Sequence, residues 1–151
     1  MTKPLLAILL LMMLFSHGVS AKGAESALHG KSLVCDANFQ MYDVDGLTPL
    51  SNKTGVRFEF DTVRIQWVVR QKNRYTTREM KFRYAEAVNY ITWGSSKLDR
   101  KTLILTEGMN SIKKRCELIG NNESVTEQLS AEIARLEKLL NDKINSRGNK
   151  I

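Results

Sequence analysis

The chain has 151 residues, of which 42% are hydrophobic, so it has enough apolar side chains for one domain and too few residues for two. The 23 Lys and Arg residues outnumber the 16 Asp and Glu residues and give a formal net charge of +7, which favours an anionic neighbour such as a membrane surface, a polyanion or an acidic protein. With only two cysteines and two histidines the chain lacks the usual ligand set of a zinc site, so we expect no metal and no cofactor.

The first 21 residues have the pattern of a cleavable secretory signal. Lys3 precedes an unbroken apolar run, Leu5–Phe15, and the small residues of Val19–Ala21 (VSA) fit a cleavage site. The run of 11 residues is shorter than the ~20 that a membrane-spanning helix needs. We therefore predict removal of residues 1–21 and a periplasmic or secreted location.

The two cysteines of the chain predict a disulfide. Residues 22–30 are small and polar, which predicts a flexible leader before the folded domain. Cys35 and Cys116 follow, and an even pair of cysteines in an oxidising compartment favours a bond between them. This bond would join the start of a β-rich domain at residues 31–119 to its end.

The segment Tyr42–Pro49 has the Asp, Gly and Pro density of a loop. Within it, Asp43–Gly46 (DVDG) resembles the opening of a calcium-binding loop, but the third ligand position and the closing Glu of an EF-hand are missing. We predict a turn here rather than a metal site. N-glycosylation patterns occur at Asn52 and Asn122 and would be used only in a eukaryotic cell.

Hydrophobic alternation predicts two half-buried strands after this loop. Apolar residues alternate with charged or polar ones at Val56–Asp61 and again at Val63–Arg70. The phase of the alternation shifts between Phe60 and Val63. A two-residue hairpin turn at Asp61-Thr62, or a bulge, would produce this shift.

Basic residues greatly outnumber acidic ones in the next part of the chain. Gln71–Thr77 is polar and predicts a longer connection, after which Met80–Tyr84 alternates as a further strand. On a hairpin, the outward positions and the connection would form a basic surface for an anionic partner. The alternative is a solvated outer face whose charges protect the strands from aggregation. The candidate residues of this surface are Arg64, Arg70, Lys72, Arg74, Arg78, Lys81 and Arg83.

Further short strands are predicted at Val88–Trp93, Leu103–Leu105 and Ile112–Ile119, with glycine-containing turns between them. We therefore predict a mainly β fold, an antiparallel meander that forms a small barrel or sandwich. The predicted core consists of Phe58, Phe60, Ile65, Trp67, Phe82 and Leu105.

Tyr90–Trp93 (YITW), Leu98–Leu103 (LDRKTL) and Cys116 resemble a pattern in small exported bacterial proteins of uncharacterised function. In that group a strand, an (Asp/Asn)-Arg-x-Thr-Leu turn and a late cysteine close a compact β-domain. The resemblance covers roughly residues 85–118 and implies no activity. From the residues themselves, Asp99 and Arg100 are placed to brace the turn into the next strand.

The period of the apolar residues changes after residue 120. Ser124 and Glu127 form a capping-box pattern that predicts the start of a C-terminal α-helix within residues 120–151. An apolar stripe at helical spacing makes this helix amphipathic. The stripe covers about two heptads, so it predicts packing on the β-domain, self-association as a short coiled coil, or docking on a partner. Its residues are Leu129, Ile133, Leu136 and Leu140.

No catalytic constellation is visible in the sequence, since His29, the only histidine after the signal, lies in the predicted leader and the disulfide would leave no free thiol for Ser/His/Asp or Cys/His chemistry. We expect an exported, non-enzymatic binding or interaction protein, such as an inhibitor or a cell-envelope accessory factor. A small-ligand carrier with a β-barrel cavity is one alternative. A cell-wall or polysaccharide hydrolase is another, because a pair of catalytic carboxylates leaves no spacing signal. Export argues against nucleic acid as a partner.

Overall fold

The computed structural model describes residues 28–120 and 124–148 of the chain. The predicted signal at 1–21 and residues 22–27 of the predicted leader lie outside the described residues. The described part contains eleven strands followed by one helix, α1 at Val125–Gly148. The strands are β1 (Ser32–Asp36), β2 (Met41–Tyr42), β3 (Pro49–Leu50), β4 (Lys53–Phe58), β5 (Thr62–Gln71), β6 (Arg74–Arg83), β7 (Ala85–Glu86), β8 (Tyr90–Trp93), β9 (Ser96–Asp99), β10 (Ile104–Glu107) and β11 (Ile112–Leu118).

Nine of the described strands form one antiparallel sheet in the order β6-β5-β4-β1-β11-β10-β9-β8-β7. Consecutive strands are neighbours from β4 to β6 and from β7 to β11, and β1 joins these two runs. The short strands β2 and β3 pair separately. The sheet curls into a nearly closed barrel, which confirms the predicted mainly β fold with a C-terminal helix.

A disulfide joins Cys35 of β1 to Cys116 of β11, as predicted. The two residues are directly opposed in neighbouring antiparallel strands, although 81 positions separate them in sequence. The strands β1 and β11, which come first and last along the chain, are therefore linked covalently as well as by backbone hydrogen bonds. Leu28 is buried in the same core, so the fold begins before the end of the predicted leader.

Large side chains fill the interior of the barrel. Phe58 is fully buried and meets the rings of Tyr84 and Trp93 edge to face, with centroid distances of 5.7 and 6.0 Å. This is the geometry that aromatic rings prefer because their edges are positive and their faces negative. The predicted core residues that lie here, buried or half-buried, are Phe58, Ile65, Trp67, Phe82 and Leu105.

The prediction that Phe60 belongs to the core is wrong, because its side chain is 86% exposed. The Glu59 amide donates to the Thr62 carbonyl at 2.8 Å, so the two turn residues are Phe60 and Asp61, one position earlier than predicted. The Tyr84 hydroxyl donates to the carbonyls of Glu59 and Phe60, at 3.4 and 3.2 Å, and holds this earlier turn. Phe60 therefore lies at the tip of the turn, outside the core.

The polar stretch Gln71–Thr77 is not the longer connection that its composition predicts. β5 and β6 pair over ten positions, which leaves only Lys72 and Asn73 as a two-residue turn. Lys72 has a φ of 56°, the left-handed conformation that tight hairpin turns use. Strand β6 extends this far because Tyr75 is buried beneath α1, which gives the polar segment an apolar anchor.

Helix α1 begins with the predicted capping box. Ser124 Oγ accepts a hydrogen bond from the Glu127 amide at 3.1 Å, and Glu127 Oε2 accepts one from the Ser124 amide at 3.0 Å. The next residue, Val125, packs onto Gly55 of β4, where any Cβ would collide with the Val125 side chain. Glycine at this outward position therefore allows the helix to lie close to the sheet.

The rest of α1 packs on the outer surface of β4, β5 and β6, opposite the barrel interior. Leu129, Leu136 and Leu140 are buried there with Val68 and Tyr75, and they form a second apolar core. Within the described residues no helix, α1 included, is both long and apolar enough to cross a membrane.

Candidate binding surface

The seven basic residues predicted as a surface for an anionic partner lie on β5, on β6 and in the turn between them. We call this unit the basic hairpin. Its strands pair over ten positions. β6 stands at one end of the sheet order, so one edge of its backbone is not paired with another strand of the described residues. The hairpin therefore combines positive charge with a free strand edge.

Arg64 and Lys81 are occupied by acidic side chains nearby. Glu59 Oε1 lies 2.9 Å from Arg64 Nη2, and Glu59 Oε2 lies 3.2 Å from Lys81 Nζ. Glu79 Oε1 lies 3.1 Å from Arg64 Nη1. Hydrogen bonds from Lys81, and then from Arg64, lower the pKa of Glu59. Arg64 and Lys81 therefore hold the hairpin together and offer less of their charge to a partner.

The remaining predicted cations divide into one that is anchored and four that are not. Arg70 Nη1 donates to Thr48 Oγ1 at 2.8 Å and ties the hairpin to the loop before β3. The other four are exposed and form no ion pair with the described residues. These four, which we call the available cations, are Lys72, Arg74, Arg78 and Arg83. They follow the turn and the free edge strand.

The Asp43–Gly46 segment forms the turn that the sequence predicts. Asp45 Oδ1 accepts hydrogen bonds from the amides of Leu47 and Thr48, both at 2.8 Å, and Oδ2 accepts one from the Thr48 hydroxyl at 2.6 Å. The Asp45 carboxylate is therefore used by its own turn. Across residues 28–120 and 124–148, no group of three His, Cys, Asp or Glu side chains is placed to hold a metal ion.

The hydrogen bonds of this turn make its carboxylate unusually acidic. The hydrogen bonds from Thr48, followed by the one from Leu47, lower the pKa of Asp45 to about 2. Because the pKa of an unfolded aspartate is about 3.9, ionised Asp45 stabilises the fold above about pH 4, and this contribution is lost as the pH falls through about 2. We expect NMR titration of the Asp45 carboxyl carbon to give a midpoint near 2, and Thr48→Val to raise it. A wild-type midpoint equal to that of an unfolded peptide would contradict this turn.

The predicted helix interface is covered within the chain. Leu129, Leu136 and Leu140 are buried against the sheet, and Ile133 is half-buried beside them. In the described structure the stripe therefore packs on the β-domain. Self-association and partner docking through the same residues stay predictions.

A buried polar network lies beside this stripe. Glu132 is 1% exposed, and Arg135 donates to both of its carboxylate oxygens, at 2.7 and 2.6 Å. Ser51 Oγ donates to Glu132 at 3.2 Å, and Arg135 also donates to side-chain oxygens of Gln40 and Asn52. We call this network the polar seam. It joins α1 to the chain before β2 and before β4.

A second buried charge lies at one end of the barrel. Lys114 is 6% exposed, its Nζ donates to Thr54 Oγ1 at 2.6 Å, and the same atom lies 2.7 Å from Glu107 Oε2. A cavity of about 260 Å³ opens beside these groups and is also lined by Ile65 and Trp67. We call this cavity the barrel mouth.

Sequence reasoning missed Lys114 and Glu132, because lysine and glutamate are mostly surface residues. Each nevertheless left a signal. Lys114 precedes Cys116 by two positions in an alternating strand, so it shares the face of the disulfide. Glu132 falls between Leu129 and Leu136, on the side of the helix that carries the apolar stripe.

Two other candidates take part in contacts within the fold. The His29 ring meets the Phe60 ring edge to face, with a centroid distance of 6.2 Å. Asn52, a predicted glycosylation position, donates its side-chain amide to the Ala37 carbonyl at 2.9 Å and also belongs to the polar seam. The second such position, Asn122, lies outside the described residues.

The turn that carries the resemblance to small exported proteins is built by its own side chains. Asp99 Oδ1 accepts hydrogen bonds from the amides of Lys101 and Thr102, at 2.9 and 2.8 Å. Arg100 Nη1 lies 3.7 Å from Glu86 Oε2 and anchors the turn to β7. The resemblance itself stays a prediction, since no protein-family model, no curated protein and no solved structure matches this chain.

Proposed function

We propose that this chain is an exported, non-enzymatic binding protein whose basic hairpin contacts an acidic segment of a partner protein. The observation that carries the proposal is the position of the four available cations on the turn and edge strand. A cation that is not paired with an acidic side chain of the described residues is available to a partner. The signal pattern at 1–21 supports export, and the Cys35–Cys116 disulfide suits an oxidising compartment.

The free edge of β6 favours a partner segment that binds in extended form. An edge strand presents N–H and C=O groups that can pair with an added strand. β6 has ten residues, and at about 3.3 Å per residue its edge is roughly 33 Å long. Backbone hydrogen bonds along this edge would supply affinity, and the side chains beside it would select the partner.

Charge complementarity favours an acidic partner over a second copy of this chain. Pairing two β6 edges would bring Arg74, Arg78 and Arg83 of both copies together, and like charges on paired strands repel. A segment with Glu or Asp at alternate positions would instead place its carboxylates on one face, beside Arg74 and Arg78, which share a face of β6, and form charge-assisted hydrogen bonds with them. An inhibitor or a cell-envelope accessory factor would use a contact of this kind.

A synthetic peptide of alternating Glu and Thr tests the proposal. We expect it to bind the wild-type chain in a fluorescence anisotropy titration, with an affinity that falls as salt concentration rises. Neutralising the available cations in the K72Q/R74Q/R78Q/R83Q variant should weaken binding about tenfold or more, because Arg74 and Arg78 would face the peptide carboxylates and all four charges attract the acidic peptide. All four side chains are exposed, so the thermal unfolding midpoint should stay close to that of the wild type.

Two controls separate the hairpin surface from net charge. The K31Q/R57Q/K113Q/R115Q variant removes the same number of charges from exposed positions elsewhere and should keep its affinity for the peptide. A peptide N-methylated at alternate residues keeps its charges but loses strand hydrogen bonds, and it should not bind. Equal losses of affinity in the two variants would show that binding depends on net charge alone and would contradict the proposed surface. If the methylated peptide bound as tightly as the unmethylated one, pairing along the edge of β6 would be contradicted.

Heparin and phosphatidylglycerol vesicles test the same surface with non-protein anions. We expect neither of them to displace the peptide when the competitor and the peptide are present at equal total negative charge. Displacement by either one at equal charge would show that the hairpin recognises anions in general, and the proposal of an acidic protein segment would then fail.

A further inference from the structure

The barrel mouth is a cavity between side chains, whereas the proposed strand contact uses the backbone edge of β6, so a ligand in the mouth is a proposal separate from the proposed function. Cys35 is directly opposed to Cys116 and to Thr54, and Thr54 is directly opposed to Trp67. Directly opposed residues in antiparallel strands point to the same face. Thr54 and Trp67 therefore lie in the same cross-strand row, and on the same face, as the buried disulfide.

Lys114 is the member of the mouth that packing does not explain. Its cross-strand partner is Leu105, which is fully buried, so an apolar side chain would suit this position. Burying an ammonium group is costly unless other groups satisfy it. Lys114 Nζ uses two of its three donors on Thr54 and Glu107, which leaves one donor for a ligand in the cavity.

The remaining walls define the size and character of the ligand. Trp67 and Ile65 supply apolar surface to the lining of the cavity. A cavity of about 260 Å³ is smaller than most drug-sized pockets, so it suits a ligand with one ring. Lys53 also lines the mouth, but its Nζ lies 3.9 Å from Asp36 Oδ2, so this lysine already has a carboxylate partner. The preference for an anion therefore rests on the remaining donor of Lys114.

We propose that the barrel mouth binds a small carboxylate with a ring-sized apolar body. The ring would stack against Trp67, and the carboxylate would accept a charge-assisted hydrogen bond from Lys114 Nζ. The Thr54 hydroxyl and the Glu107 carboxylate would hold the ammonium group in position before the ligand enters.

Benzoate is the probe, and NMR of the wild-type chain is the first measurement. The chain has two tryptophans, and Trp93 is buried in the core, so its indole signal is an internal reference. We expect benzoate to shift the Trp67 indole signal and the amide signals of Thr54 and Ile65 with one saturation curve. Benzyl alcohol lacks the charge and acetate lacks the ring, so each should bind at least about tenfold more weakly. Absence of a saturable shift at Trp67 would overturn the proposal.

Adjacent lysines of β11 provide a matched pair of variants. Lys114→Met should raise the dissociation constant for benzoate about tenfold or more, whereas Lys113→Met, at an exposed position, should leave it unchanged. Should Lys114→Met fail to fold, Trp67→Leu replaces it and should cause a similar loss through the missing ring. Equal affinity in wild type, Lys113→Met and the mouth variant would show that benzoate binds elsewhere and would overturn the proposal.

Discussion

Reduction of the Cys35–Cys116 disulfide is expected to lower the free energy of unfolding by about 4 to 5 kcal/mol. The bond spans 81 positions, and loop-closure entropy gives a contribution of this size for a loop of that length. It also fixes β1, the strand that joins the two halves of the barrel sheet, to β11. Domains are stable by only roughly 5 to 15 kcal/mol, so this loss would remove a large part of the total stability.

Urea unfolding with and without a reducing agent measures the effect. Chemical reduction keeps both sulfur atoms in the core, so it reports on the bond rather than on a cavity. The dependence of free energy on urea should also become steeper, because the reduced unfolded chain exposes more surface. The Cys35→Ala/Cys116→Ala variant is the control and should not respond to the reductant. A loss below about 1 kcal/mol on reduction would show that the paired strands hold the chain ends without the bond.

Local patterns in the sequence predicted the local features of this fold correctly. The capping box at Ser124 and Glu127 needs only neighbouring residues, and the structure has both of its hydrogen bonds. The cysteine pair also placed the first strand beside the last, since two cysteines allow one pairing. These predictions succeeded because the interactions that decide them involve few residues.

Predictions failed where a distant contact decides the conformation. The turn at Phe60 depends on the Tyr84 hydroxyl, 24 positions away. The alternation of apolar and polar residues cannot predict that hydrogen bond. The early start of β6 depends on Tyr75 lying beneath α1, a helix that begins 50 positions later. Tertiary contacts override local patterns in both cases.

The candidate surface shows the same division. A run of basic residues marked the hairpin, but the sequence did not distinguish anchored cations from available ones. That distinction depends on Glu59, which reaches both Arg64 and Lys81 only because the hairpin register places the two side chains near it. Composition therefore located the surface, and register decided which of its charges a partner can reach.

Replacing Arg135 by alanine is expected to destabilise the fold by about 3 kcal/mol, because it leaves the buried Glu132 carboxylate without its cation. The value lies at the lower end for buried pairs because the Arg135 side chain is 39% exposed, so water can reach part of the site. The change also removes the hydrogen bonds to Gln40 and Asn52. Urea unfolding of the variant measures the loss.

Three comparison variants determine what the polar seam contributes. Lys138→Ala removes an exposed cation from the same helix and should change stability by less than about 0.5 kcal/mol. The Glu132→Leu/Arg135→Met double variant removes both charges and should recover most of the stability lost in Arg135→Ala. Glu132→Leu alone leaves the partly exposed Arg135 without its partner, so its stability should lie between those of Arg135→Ala and the double variant. If Arg135→Ala were no less stable than Lys138→Ala, the apolar stripe alone would hold α1 on the sheet. The polar seam would then contribute little to the docking of the helix, and this prediction would be wrong.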